Sequence, residues 1–241
     1  MKTGDKLMSA NSAIEWTDAT WNPVRGCTKI SPGCRGCYAA SFAKRLQGIK
    51  NKRYVNAFQL TLHPDLLDVP LKRKKPETYF VNSMSDLYHK DVPLDFIQKA
   101  FSVMGQCPQH TFQILTKRSD LLVQHAPHVT WGDNVWQGVS VESQDYVFRI
   151  DDLLKVPAKI RFIYFEPLIG PITNLNLDGI HWAVVGGESG PSWRPLEKQW
   201  VRDIRDACVA QGVKFFFKQY AGLHPESLGR ELDGREWSQI P

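Results

Sequence analysis

Six short apolar runs, rich in β-branched and aromatic residues, set the strongest constraint on what this chain can fold into. They are Thr78–Asn82, Thr111–Thr116, Val135–Ser140, Arg161–Phe165, His181–Val185 and Val213–Phe217, most of them bounded by Gly, Pro or charged residues. Helix-like stretches lie between them at about Leu94–Gly105, Ser119–Gln124, Ser143–Leu154 and Glu197–Gln211. Asp91-Val92-Pro93 supplies a start signal for the first and Gly212 a stop signal for the last. Strands that alternate with helices predict a parallel sheet with right-handed crossovers. Six such strands, with one more expected near the N-terminus, predict an α/β fold: a full or partial (β/α) barrel of parallel strands, with an open doubly wound sheet as the alternative.

The residues at the end of each run point to where a site would form. Asn82-Ser83-Met84-Ser85-Asp86 ends the first run, Thr116-Lys117-Arg118 the second and Ser140-Val141-Glu142 the third. Glu166-Pro167, Gly186-Gly187-Glu188-Ser189 and Lys218-Gln219 end the remaining three. In β/α barrels the C-terminal strand ends converge on one face, so a polar group at every end predicts a ring of such groups around one mouth. Any one of them alone is more often a helix cap or a solvated loop residue.

Upstream of these runs, Cys27, Cys34 and Cys37 fall within eleven residues, in Cys27-Thr-Lys-Ile-Ser-Pro-Gly-Cys34-Arg-Gly-Cys37-Tyr38. Three thiolates are one short of the set that closes a structural zinc site or a fully ligated iron–sulfur cluster, and the missing ligand leaves an open metal position. Gly26, Gly33 and Gly36 flank the ligands, where absent side chains let backbone N–H groups approach sulfide. A helix is expected after Cys37, from Ala39 to Gln47. His63 and His89 are candidate fourth ligands for zinc, although both lie far from Cys37 along the chain.

Composition narrows the class. Five cysteines, three of them clustered, do not read as a secreted disulfide framework; Cys107 and Cys208 stand alone in helix-end segments where burial is expected. No apolar stretch suits a signal peptide or a membrane span, so a reduced, cytoplasmic protein is expected, without a membrane partner. The length of 241 residues and hydrophobic fraction of 42% allow one domain with a substantial core. Within it, residues 1–13 are expected to be flexible, 26–38 to form the cysteine loop, about 14–220 the barrel core and 221–241 a C-terminal extension. A formal charge of +5, concentrated at Lys50-Asn-Lys52-Arg53 and Lys72-Arg73-Lys74-Lys75, is compatible with phosphate binding or with solubilising loops.

Ile14-Glu15-Trp16-Thr17-Asp18-Ala19-Thr20-Trp21-Asn22-Pro23 and the Gly-Cys…Gly-Cys-x-x-Cys-Tyr segment carry a resemblance, joined by Phe80–Leu87, Phe112–Arg118, Phe165–Leu168, Val185–Gly190 and Phe216–Gln219. Together these strings, spread from Ile14 to Tyr220, resemble a phage-associated family with a three-Cys motif that is similar to a divergent branch of the radical S-adenosylmethionine (SAM) enzymes. The resemblance implies a radical-SAM-like barrel in which Cys27, Cys34 and Cys37 hold a [4Fe–4S] cluster. The open iron would bind the methionine part of SAM, and reductive cleavage would give a deoxyadenosyl radical that abstracts a substrate hydrogen. It also implies an external electron donor, a separate three-Cys-motif partner protein, and the host cytoplasm as the compartment if the chain is phage-encoded. Two features depart from the common pattern: six residues separate Cys27 from Cys34, and Gly36 replaces the aromatic residue usual before the third cysteine, leaving Tyr38 as the adenine-facing candidate.

Under this reading Ser83, Ser85 and Asp86 suit the cofactor's ammonium group, and Lys117 with Arg118 suits its carboxylate or a substrate phosphate. Glu142 and Glu166 could reach ribose hydroxyls or substrate, and Gly186, Gly187 and Glu188 would let the backbone approach adenine, ribose or phosphate. Trp136 and Trp182 read as core, whereas Trp16 and Trp21 could shield the cluster. The leading expectation is an iron–sulfur enzyme of the radical SAM type acting on a nucleic acid, nucleotide or modified base. The alternatives are a zinc-stabilised nucleic-acid-binding or phage assembly module without catalysis, and an iron–sulfur protein that only binds a partner.

Overall fold

The computed structural model describes residue 12 and residues 14–241; the expected flexible segment, 1–13, otherwise lies outside the described residues. Seven strands form one sheet: β1 (Ala19–Trp21), β2 (Thr78–Val81), β3 (Thr111–Thr116), β4 (Val135–Ser140), β5 (Ile160–Phe165), β6 (Trp182–Gly186) and β7 (Lys214–Gln219). They are hydrogen-bonded in chain order and every neighbouring pair is parallel. The sheet curls into a half-barrel whose edges are β1 and β7. The sequence expectations for β3 and β4 coincide with the observed bounds, and the other strands differ by one or two residues.

Period-two alternation splits the strand residues between two cores. Val81, Ile114, Phe165, Val185 and Phe217 pack into the larger core, with apolar residues of the covering helices. These helices include α2 (Leu94–Gly105), α3 (Ser119–His125), α4 (Phe148–Leu154) and α5 (Lys198–Ala210). Phe80, Phe162, Tyr164, Trp182 and Phe216 point the other way and form a second, concave-side cluster around Trp16. Gly138 is required there, because a Cβ at this position would sit 2.2 Å from the Phe162 ring. The helix expected at Ser143–Leu154 is divided into a 3₁₀ turn, Gln144–Tyr146, and α4. The β5–β6 crossover carries no helix, and Leu168, Ile172 and Leu177 of this irregular segment pack into the larger core instead.

The β7 edge is covered, and Trp16 packs on the concave side of the sheet. Trp16, just before β1, packs its ring 4.7 Å from that of Phe216 in β7 and donates from Nε1 to the Tyr164 hydroxyl at 2.7 Å. The C-terminal residues run antiparallel along β7: Phe216 bridges Ser238, and the Phe217 amide donates to the Trp237 carbonyl. An edge strand with unpaired N–H and C=O groups is a template for aggregation, and this segment occupies it. The run Lys72–Lys75 directly precedes β2, which places it at the end of the sheet opposite the strand C-termini. Cys107 and Cys208 are buried, and all five cysteines are free. Among the described residues no helix is long and apolar enough to cross a membrane.

Candidate metal and cofactor site

The strand C-termini open into a cavity of about 820 Å³, and the cysteine loop closes one side of it. Cys27, Cys34 and Cys37 all line this cavity, together with Asp86, Lys117, Ser140, Glu166, Glu188 and Lys218 from the ends of six different strands. Its apolar wall is built by Trp16, Phe80, Leu115 and Tyr164. Among the described residues no three His, Cys, Asp or Glu side chains are gathered for a single metal ion.

Three arginines from outside the loop and its neighbouring helix, Arg118 and Arg149 buried and Arg194 half-buried, fix the loop's shape. Arg118 follows β3; its Nη1 donates to Asp86 Oδ2 at 2.9 Å and lies 3.4 Å from Cys27 Sγ, while Nη2 donates to the Thr28 carbonyl at 2.9 Å. Asp86 also accepts from the Thr116 hydroxyl, at 2.8 and 2.9 Å, and from the Tyr88 amide at 3.0 Å. Arg149, in α4, donates to Glu142 Oε2 at 2.6 Å and to the Ser140 carbonyl at 2.7 Å. Glu142 in turn accepts a short hydrogen bond from the Ser31 hydroxyl of the loop. Arg194, in the irregular segment after β6, pairs with Glu188 and donates from Nη2 to the Pro32 carbonyl at 2.9 Å. His89 adds a fourth tie, with Nε2 2.9 Å from the Thr28 hydroxyl.

These contacts treat the thiols unequally. Burial pushes Cys27 up to about 11, with Asp86 adding to the rise and Arg118 opposing it. Burial also works against the Cys34 thiolate, but hydrogen bonds from the Ile30 backbone and the Ser31 hydroxyl, with the charge of Lys117, outweigh it and lower its pKa. For Arg118, burial is outweighed by Asp86 and Cys27, so the guanidinium is held even more firmly protonated. The same balance, burial against the Arg194 hydrogen bonds, keeps Glu188 below the usual carboxylate range.

Most residues singled out from the sequence meet in this cavity: Tyr38, Ser83, Ser85, Asp86, Lys117, Glu166, Gly187 and Glu188 line it with the three cysteines. Within it, Asp86 is already committed to Arg118 and Thr116, and Glu188 to Arg194. Ser85 donates to the Val24 carbonyl at 2.7 Å and Ser83 to Asn22 Oδ1 at 3.2 Å. Tyr38 opens α1 (Tyr38–Gly48) and donates its hydroxyl to the Ser83 carbonyl at 2.6 Å, leaving the ring largely exposed. Glu142 and Gly186 do not line the cavity; Glu142 is wholly buried beneath the cysteine loop, against Gly33. Trp16 lines the wall, whereas Trp21 faces the larger core and donates to the Leu66 carbonyl. His63 Nε2 is buried without a hydrogen-bond partner, and neither histidine joins the cysteines around one ion.

Sequence reasoning passed over Arg149, Arg194 and Ser31. No local spacing signals an arginine seven residues after Glu142 or six after Glu188. Lys218, noted only as a strand end, is paired with Glu166 across the cavity wall.

Residues 11–241 match a family described as "Protein of unknown function (DUF5131)". The chain belongs to the DUF5131 family. No curated protein matches it. Among solved structures, spore photoproduct lyase complexed with dinucleoside spore photoproduct aligns with a TM-score of 0.50 at 13% identity, covering 84% of this chain and 64% of that one. A mutant of that lyase with dinucleoside spore photoproduct aligns with a TM-score of 0.51 at 13% identity, covering 85% and 64%. Another, with bound AdoMet and dinucleoside spore photoproduct, aligns at 0.50 and 12%, covering 84% and 64%. The DUF5131 chain therefore spans somewhat less than two thirds of the lyase, and at this identity the likeness is one of fold. That fold is the radical-SAM-like partial barrel expected from the sequence.

Proposed function

We propose that this DUF5131 protein is an iron–sulfur enzyme of the radical SAM type, acting on a nucleic acid, a nucleotide or a modified base. One observation carries the reading: three cysteines of one loop and the polar ends of six strands line the same cavity at the mouth of a parallel half-barrel. The donor set suits the cofactor. Thiolates are the soft ligands that select iron–sulfur clusters, and each of three thiolates goes to a separate iron, so the sulfurs need not converge on one point as for a single ion. The Arg118 and Ser31 contacts to Cys27 and Cys34 supply the sulfur hydrogen bonds that tune such sites.

Bound there, a [4Fe–4S] cluster with SAM would supply reductive sulfonium cleavage and hence the means of abstracting a substrate hydrogen. The chain's own residues bind, orient and exclude water. Lys117 presents a cation on the cavity wall for a carboxylate or phosphate, and the Glu166–Lys218 pair presents both signs of charge beside it. Tyr38 offers a ring face at the mouth for a purine to stack on. Trp16, Phe80, Leu115 and Tyr164 form a dry wall behind these groups. The choice of a nucleic-acid-type substrate is supported by the net charge of +5 and by the dinucleoside spore photoproduct complexed with spore photoproduct lyase, whose fold this chain shares. An external electron donor, a separate three-Cys-motif partner protein and a reducing cytoplasm, that of the host if the chain is phage-encoded, complete the proposed system.

The test is anaerobic purification with visible absorption and counts of iron, sulfide and zinc, beside a Cys34→Ala variant. The expected result is a brown wild-type protein that approaches four irons and four sulfides per chain and forms deoxyadenosine from SAM under reductant when its partner is present, with both the iron and the activity lost in the variant. A colourless protein holding one zinc and no iron, even after reconstitution, would overturn the reading.

A further inference from the structure

The cysteine loop borders a second concavity. A groove of about 620 Å³ is lined by Thr28, Gln47, Val55, Gln59, His89 and Asp91, among others. It shares only Cys27 and Phe58 with the cavity described above. Cys34 and Cys37 line the first cavity alone, so Cys27 is the one cysteine of the loop that also meets the outer groove.

The segment that builds this region is one-signed. From Ala19 to Pro64 the chain has eight lysines and arginines and not one aspartate or glutamate. Around the groove, Lys44 lies one turn before Gln47 on the same face of α1, and Lys50 and Lys52 belong to the link from Gln47 to Val55. Lys90 stands between His89 and Asp91; all four lysines are exposed. Asp91 is the single carboxylate among the lining residues. On the same Gln47–Val55 link, the apolar side chains of Ile49 and Val55 are 69% and 66% exposed. Exposed apolar side chains interspersed with like charges suit a weak, electrostatically steered encounter with a protein of the opposite sign.

We propose that the groove docks a small acidic electron-transfer protein carrying a flavin or an iron–sulfur centre, so that electrons enter beside Cys27. The inference rests on the function proposed above, which consumes electrons from outside. In each encounter one electron would leave the carrier's reduced centre, which is oxidised, and a [4Fe–4S] cluster held by Cys27, Cys34 and Cys37 would accept it and be reduced; no bond in either protein would break. A nucleic acid is the poorer occupant, because its reacting base must enter the first cavity, which Cys27 and Phe58 divide from this groove.

The full chain and a Lys44→Glu/Lys50→Glu/Lys52→Glu variant, both iron-loaded, would be mixed anaerobically with photoreduced flavodoxin as the acidic probe. Bleaching of the visible absorption gives the reduction rate, and dithionite serves as a reductant that needs no docking. The variant is expected to be reduced by flavodoxin about tenfold more slowly or worse, and to bind oxidised flavodoxin correspondingly less. Its iron content and dithionite rate should stay unchanged, and the wild-type flavodoxin rate should fall with added salt. Equal flavodoxin rates for the two proteins would overturn the docking proposal alone. So would a variant that keeps its flavodoxin rate but loses affinity for a single-stranded oligonucleotide, which would give the basic face to nucleic acid. A wild-type chain that takes up no iron would overturn the functional reading and the docking proposal with it.

Discussion

Arg118 holds Cys27 and Asp86 through one nitrogen, Nη1 lying 3.4 Å from the sulfur and 2.9 Å from the carboxylate oxygen. The pair is buried, so removing the cation leaves a carboxylate in low dielectric. Arg118→Met should cost about 3 kcal/mol, the lower end for breaking a buried pair, because Thr116 and the Tyr88 amide still serve Asp86. Adding Asp86→Leu should restore much of the lost stability in urea denaturation, since the orphaned charge is then gone. Iron retention should stay low in both variants, which separates the thiol contact from the folding term. Full iron retention in either one would show that the Cys27 contact is incidental.

Two glycines of the loop should behave in opposite ways. A Cβ on Gly33 would fall 2.4 Å from Glu142 Cγ, whereas one on Gly36 meets nothing closer than 3.7 Å. Gly33→Ala must push the loop off its buried carboxylate and should reduce iron bound per chain several-fold. Gly36→Ala should load like the wild type, and equal loading of the two would show that the loop is not seated on Glu142.

Inside the half-barrel, Gly138→Ala would drive a methyl group into the Phe162 ring. Overpacking of this kind costs about 1–3 kcal/mol, and Phe162→Leu in the same chain should recover part of it. Chemical denaturation of the single and double variants measures the coupling; strictly additive effects would mean that the ring escapes without strain.

The C-terminal hairpin, Glu231–Leu232 with Arg235–Glu236, is tied to α5 through Asp233. Hydrogen bonds from Arg202 and then Arg205 hold the Asp233 carboxyl down to about 2, against an ordinary value of 3.8. A depressed carboxyl stabilises the fold above its ordinary pKa, and that contribution is lost as pH falls from 3.8 towards 2. The Trp237 indole N–H, which donates to the Leu232 carbonyl in the same hairpin, should shift in NMR spectra across this interval. Asp233→Asn keeps the left-handed turn at φ 54°, which asparagine tolerates, and should abolish the acid transition. Persistence of the transition in that variant would assign it to another carboxyl.

The strands were legible because a parallel sheet covered on both faces demands short runs rich in β-branched and aromatic residues, and Thr111–Thr116 and Val135–Ser140 supply them with most residues buried. The cysteines stood out because three thiols at close spacing have few structural uses, and the fold brings all three to one cavity. Glu142 was placed correctly at a strand end but not in depth: Arg149, a helix turn beyond the reach of any local motif, draws its carboxylate beneath the loop. Arg194 escaped notice because it lies in an irregular segment, where sequence carries no periodicity to say which way a side chain points. Asp86 read as a free carboxylate for an ammonium group, and only the fold brings Arg118 and Thr116 within its reach.

The three arginine ties have a consequence for the order of events in the life of the chain. Small metal-dependent modules gain their shape from the ion, and a chelator unfolds them. Here Arg118, Arg149 and Arg194 anchor Thr28, Ser31 and Pro32 to the barrel through hydrogen bonds within the protein, Arg149 acting through Glu142. If the proposed function holds, synthesis and maturation should therefore be uncoupled: the newly made protein would persist as a finished receptacle through iron scarcity and be charged later, without passing through the unfolded state.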